Sequence, residues 1–200
     1  MISPPRPLQT VILLLAALLG SGCLSTGTEE ADLRDSRGHP VPPGELLLGE
    51  RYDDPILLAT ARTAVVVPFG VAPSASLQAP RAILQSATTM ASEELTRTLL
   101  QDSDLEVAGL GDGTEDAELV VQGELLRYHP PRPVVRIQEV LLRCEVTRRE
   151  GELVAVLIHQ ASLRKDKWEP DERSLKRLCR AAGEELGVVL ARALLAQAPE

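Results

Sequence analysis

Aromatic side chains are scarce in this chain: one Trp, two Tyr and one Phe among 200 residues. Four scattered rings, Tyr52, Phe69, Tyr128 and Trp168, cannot build the row of stacking platforms that single-stranded nucleic acids or glycans use. Positive charge is also short. Lys and Arg number 21 against 29 Asp and Glu, a net of −8. A chain of that sign repels phosphate backbones, so no nucleic-acid partner is expected. The three histidines, His39, His129 and His159, fall in separate segments at no metal-ligand spacing. Neither a CxxC pair nor a GxSxG motif occurs, so neither a redox dithiol nor a nucleophile elbow is indicated. Gly109, Gly111 and Gly113 follow an apolar run, but Asp112, Glu115 and Asp116 would repel a phosphate. That leaves a plain turn. No cofactor or metal is expected, and no catalytic residue stands out.

Apolar residues are plentiful at 44%, enough to close one core in a chain of this length. The first long apolar run is Val11 to Leu19, behind Arg6 and ahead of the small residues Gly20-Ser21-Gly22. A basic start, a short apolar middle and a small-residue exit make a secretory signal peptide. Leu8 to Gly22 would give about 22 Å of helix against about 30 Å of hydrocarbon, too short to span. Residues 1–22 therefore read as a signal peptide.

Leu19-Gly20-Ser21-Gly22-Cys23 resembles the bacterial lipobox, although Gly20 stands where that motif usually has Leu. The resemblance implies that Cys23 is lipidated, becomes the first mature residue and holds the chain on a membrane through its acyl chains, palmitate among them. Each buried methylene contributes about 0.8 kcal/mol, so several chains anchor firmly. Leu24 rather than Asp follows the cysteine, which by the same analogy favours the outer membrane over the inner, with the domain facing the periplasm. Residues 23–44 are small, polar and acidic, with Pro40, Pro42 and Pro43 near the end, and read as a flexible tether. Residues 45–61 carry two short apolar runs and read as an ordered but irregular segment.

The domain proper spans 62–197. Thr63 to Phe69 is a β-branched run suited to a strand covered on both faces, and Pro68 marks its end. Pro80 then opens a helix with Leu84, Ala87, Ala91, Leu95 and Thr98 on one stripe. Leu105 to Ala108 reads as a short strand. Leu119 to Tyr128 reads as a longer one, with Leu119, Val121, Gly123 and Leu125 on one face. A further strand lies within Val134 to Thr147, where Val140, Leu142, Cys144 and Val146 alternate inward. Arg148 to Gly151 makes a hairpin turn, and Leu153 to Leu163 returns. A closing helix from Asp171 carries Leu175, Leu178, Cys179, Ala182, Leu186, Val189, Leu190 and Ala193 on one stripe. The order β-α-β-β-β-β-α predicts an α/β domain: a single mixed β-sheet with two long helices packed on one face.

Cys144 faces inward on a strand and Cys179 sits on the last helix's apolar stripe. They read either as a disulfide, favoured by an oxidising periplasm, or as two separate buried thiols. The densest basic stretches, Arg148-Arg149 and Arg164-Lys165-Asp166-Lys167, both lie in turns. Arg164, Lys165 and Lys167, with Trp168 as an anchor, are the candidate interaction residues, meeting an acidic partner or lipid head groups. The element order, with Ala117 to Leu125 (AELVVQGEL) and the VVVPF run, resembles the small α/β domain of the curli-secretion-channel and TolB amino-terminal superfamily. That resemblance covers about residues 62–197. It implies an envelope adaptor or assembly factor that works by protein binding and is not an enzyme. Two alternatives are a small-molecule hydrolase with a dispersed site such as Asp112, His129 and Glu169, and a lipid carrier with an apolar groove.

Overall fold

A computed structural model describes residues 49–111, 117–134, 136–165 and 168–195. The expectations for the signal peptide, Cys23, the tether, Asp112 and Lys167 lie outside these residues. The elements in chain order are β1 (Gly49–Tyr52), α1 (Pro55–Thr60), β2 (Thr63–Val66), β3 (Gly70–Val71), α2 (Pro73–Ser76), α3 (Arg81–Asp102), β4 (Glu106–Leu110), β5 (Leu119–His129), β6 (Ile137–Arg148), β7 (Leu153–Arg164) and α4 (Asp171–Leu195).

The strands form one mixed sheet in the order β1-β7-β6-β5-β2-β4, with the two-residue β3 also beside β5. β2 runs parallel to β4 and β5, and β5, β6, β7 and β1 continue antiparallel. β5 is thus the junction between the crossover half and the hairpin half. The long β6–β7 hairpin closes at Gly151, whose φ of +87° is a backbone conformation that glycine adopts without strain.

Strand alternation sends Leu119, Val121 and Leu125 of β5, and Val140, Leu142, Cys144 and Val146 of β6, to one face. There they share a core with Leu84, Ala87, Ala91, Leu95 and Leu99 of α3, and with Leu175, Leu178, Cys179, Ala182, Leu186 and Leu190 of α4. Both long helices therefore cover the same face, as the apolar stripes predict. Alternation turns Leu126 to the other side, where it joins a smaller buried cluster with Ala72, Leu141, Val156 and Ile158. A register shift between Leu125 and Arg127 then brings Tyr128 rather than Arg127 to the core face.

Residues 45–61 were expected to be irregular, yet their described part is regular. β1 pairs with the edge of β7. Asp54 caps α1 by accepting from the Leu57 amide at 2.9 Å, with a proline at the start of the helix. A cap aspartate followed by proline nucleates a short helix that hydrophobic periodicity over six residues does not reveal. The stretch between Phe69 and Pro80 likewise holds regular elements, β3 and α2.

α3 and α4 run parallel and touch backbone to backbone. A Cβ built on Gly183 would lie 2.2 Å from the Ala91 carbonyl oxygen, and one on Gly187 would lie 2.7 Å from Thr98 Cβ. Alanine normally favours a helix over glycine by up to about 1 kcal/mol. Here that gain is outweighed, because an extra methyl against backbone must push one helix off the other. Gly183→Ala is expected to destabilise the fold by about 1–3 kcal/mol, measurable as a lower urea midpoint. A midpoint that rises would show that the helices separate at no cost.

Candidate interaction surface

The stripe that buries Leu175, Leu178 and Cys179 fixes which α4 residues look outward. Arg173, Lys176, Arg177 and Arg180 follow at spacings of three and four, the neighbour rows of a helix surface. The parallel docking of α3 brings Met90 beside them. The turn before α4 brings Trp168, Glu169 and Pro170, and together these residues line a groove of about 850 Å³.

Four cations share this groove with few acids. Arg177 Nη2 meets Glu169 Oε2 at 2.9 Å and Lys176 Nζ meets Glu172 Oε1 at 2.8 Å. Arg180 Nη2 approaches Met90 Sδ at 3.4 Å. The excess is positive on a chain whose net charge is −8. Trp168, 87% exposed, stands at the rim. Guanidinium groups, a thioether and an indole in one concavity suit a carboxylate-bearing protein segment: the cations take the charge, while Met90 and Trp168 take apolar contact.

The residues expected from sequence divide between this site and the scaffold. Trp168 belongs to the groove. Arg164 is exposed at the end of β7. Lys165 is engaged in the fold: its ammonium pairs with Asp171, and its amide donates to the Arg136 carbonyl at 2.7 Å. Arg148 is likewise held by Asp54 at 2.9 Å and Glu152 at 3.3 Å, which ties the hairpin turn to α1. His129 lies 3.4 Å from Glu139 across β5 and β6, whereas Glu169 lines the groove. Arg173, Lys176, Arg177, Arg180 and Met90 were not singled out. The helical spacing of the basic row was legible in the sequence, but Met90 needs the α3–α4 packing to join it.

Cys144 and Cys179 are both free, buried thiols. Burial pushes each thiol from the ordinary 9.0 up to about 12, and for Cys144 the charge on Glu145 adds to it. Burial also lowers His159, with Glu185 opposing. Among the described residues, no group of three or more His, Cys, Asp or Glu could hold a metal ion. No described helix is long and apolar enough to cross a membrane. Two smaller cavities, each about 240 Å³, lie between β1, α1 and α4 and between α3, β5 and the start of α4.

Several solved structures are similar to this one. One is a PelC dodecamer from Paraburkholderia phytofirmans (14% identity, TM-score 0.48), matched over 70% of this chain and 96% of that one. Another is protein XCC0632 from Xanthomonas campestris (12%, TM-score 0.47), over 69% and 86%. A third is a minor lipoprotein from Acinetobacter baumannii (11%, TM-score 0.39), over 68% and 92%. No family model matches the chain, and no curated protein does.

Proposed function

We propose that the protein is a non-catalytic adaptor of the bacterial cell envelope. In this reading Cys23 is lipidated and holds the domain at the outer membrane, and α4 takes an acidic segment of another envelope protein. The observation that carries the reading is the basic row Arg173, Lys176, Arg177 and Arg180, set against Met90 and Trp168 on an acidic chain. Tethering makes a modest surface sufficient, because confinement near a membrane raises the effective concentration of the partner. Charge on such a rim governs encounter and orientation more than final affinity.

The test is crosslinking capture of the mature protein from its native envelope, compared between wild type and two charge-reversed variants. Arg177→Glu with Arg180→Glu should weaken recovery of the partner by about tenfold or more. Arg149→Glu, in the exposed hairpin turn, should leave it unchanged. Recovery that is equal in all three would remove the groove from the function.

A further inference from the structure

Four of the seven large apolar side chains exposed on the described surface gather at one end of the sheet. Leu77 is 83% exposed, Val134 93%, Trp168 87% and Ile137 40%. The register explains the grouping. Ile137 of β6 pairs with Arg164 of β7, so the turn between β5 and β6, with Val134, lies beside the loop between β7 and α4, with Trp168. The Lys165 amide donating to the Arg136 carbonyl fastens the two. Gln78, next to Leu77, lines one cavity with Pro130 and Asp171, which places the α2–α3 connection at the same end.

The polar residues of this end are unevenly shared. Among the described residues, acids of this end are engaged within the fold: Asp171 with Lys165, Glu169 with Arg177, Glu172 with Lys176 and Glu139 with His129. Arg132, Arg136 and Arg164 are exposed around the apolar tips. Protruding Leu, Val and Trp side chains ringed by arginine have the composition of a surface that dips into a bilayer's head-group region. Trp is the side chain that best suits that depth.

The course of the chain supplies an independent argument. β1 is antiparallel to β7, with Gly49 opposite Ile158 and Tyr52 opposite Ala155. The chain therefore enters β1 from the end where β7 finishes, the end that carries Trp168. From Ile158 to Arg164 is roughly 20 Å of strand. The tether expected from the sequence supplies 25 residues between Cys23 and Gly49, about 25–30 Å by random-coil scaling. A bilayer holding an acyl group on Cys23 is thus within reach of this end.

We infer that the end of the domain bearing Leu77, Val134 and Trp168 rests on the anionic lipid surface in which the chain is anchored, with Arg132, Arg136 and Arg164 on the head groups. The inference rests on the lipid-anchor reading; it gives Trp168 to the bilayer, so the groove's partner segment keeps Met90 for apolar contact beside Arg173, Lys176, Arg177 and Arg180. It leaves the outer length of α4, including Arg180, facing the periplasm.

Trp168 is the only tryptophan and so reports on this end directly. The lipidated full chain would be reconstituted into phosphatidylethanolamine vesicles with a quarter phosphatidylglycerol, with and without brominated acyl chains. Flotation reads the anchor, and Trp168 emission reads the end. The expected result is flotation, a blue-shifted emission and quenching by brominated lipid that falls at high salt. The combined variant Arg132→Glu, Arg136→Glu, Arg164→Glu should still float and keep its thermal midpoint, yet lose the quenching severalfold. Val134→Asp should act in the same direction. Flotation with emission identical to that in detergent would overturn the inference and leave the anchor standing. A chain that does not float overturns both, since no bilayer would then be held within reach. Quenching that survives the triple reversal in full would also sink it, because the arginines would then do nothing.

Discussion

Phe69→Ala is expected to destabilise the domain by about 3–5 kcal/mol, a large share of the roughly 5–15 kcal/mol that a domain has in total. Phe69 is the single phenylalanine of the chain, is fully buried, and sits between β2 and β3. Its ring packs against β5 at Gly123, where a built Cβ would lie 2.4 Å from two ring carbons. Its carbonyl accepts from Gln85 Nε2 at 2.9 Å and from Thr88 Oγ1 at 3.0 Å, fixing the first half of α3 over the ring. Removing the ring leaves a cavity between β5 and α3 that these fixed neighbours cannot close. Gly123→Ala drives a methyl into the same ring and should destabilise by about 1–3 kcal/mol. In the Phe69→Ala background the methyl has room, so Gly123→Ala should there become neutral or mildly favourable. Equilibrium urea unfolding of the four proteins closes the cycle. Strictly additive effects would mean that ring and glycine do not share one space.

The sheet and its two long helices were legible because each carries its signal in local periodicity. The β-branched run at 63–66 is buried on both faces, while the alternation through Cys144 and the stripe from Leu175 to Leu190 each bury one face and would be ruined by a shift of one residue. The one-sided helix layer also followed, since both helical stripes need the same sheet face. What stayed hidden depends on contacts between distant segments. β1 is four mostly exposed residues that become a strand because β7 offers an open edge. Gly183 and Gly187 look like weak points of a helix until Ala91 and Thr98 are set against them. The basic groove was half legible: Arg173, Lys176, Arg177 and Arg180 have helical spacing, but the charged loop at 164–167 drew the reading instead. Lys165 is a member of that loop that belongs to the fold. A lysine in a turn reads as solvated, yet this one is drawn to Asp171 at the start of α4 and serves the fold.

Raising the pH should unfold this domain earlier than its acidic composition alone would suggest, and the two buried thiols set the size of the effect. Both are held near 12 in the folded state by burial, against an ordinary 9.0. Below about pH 9 the folded and unfolded chains both keep these protons, so the thiols' contribution to stability is fully present. Above that, the unfolded chain releases them and the folded chain does not, so stability falls by about 1.4 kcal/mol per pH unit per thiol. The loss continues until the folded thiols titrate, near 12. At about pH 10 the two together should cost about 3 kcal/mol. Tyr52 and Tyr128, also raised chiefly by burial, act in the same direction at higher pH. Urea midpoints measured under a reducing agent from neutral pH to about 10.5 should trace this fall. Cys144→Ala with Cys179→Ala should start from a lower neutral stability, because two core side chains are trimmed, yet show a distinctly flatter slope. An equal slope would move the effect to the tyrosines. Thiol titration of the non-reduced protein adds a separate check: neither cysteine should react while the chain is folded, and both should react once it is denatured. If denatured protein yields no thiol from this pair, the cysteines are joined, nothing remains to titrate, and the alkaline loss must shrink to what the tyrosines supply.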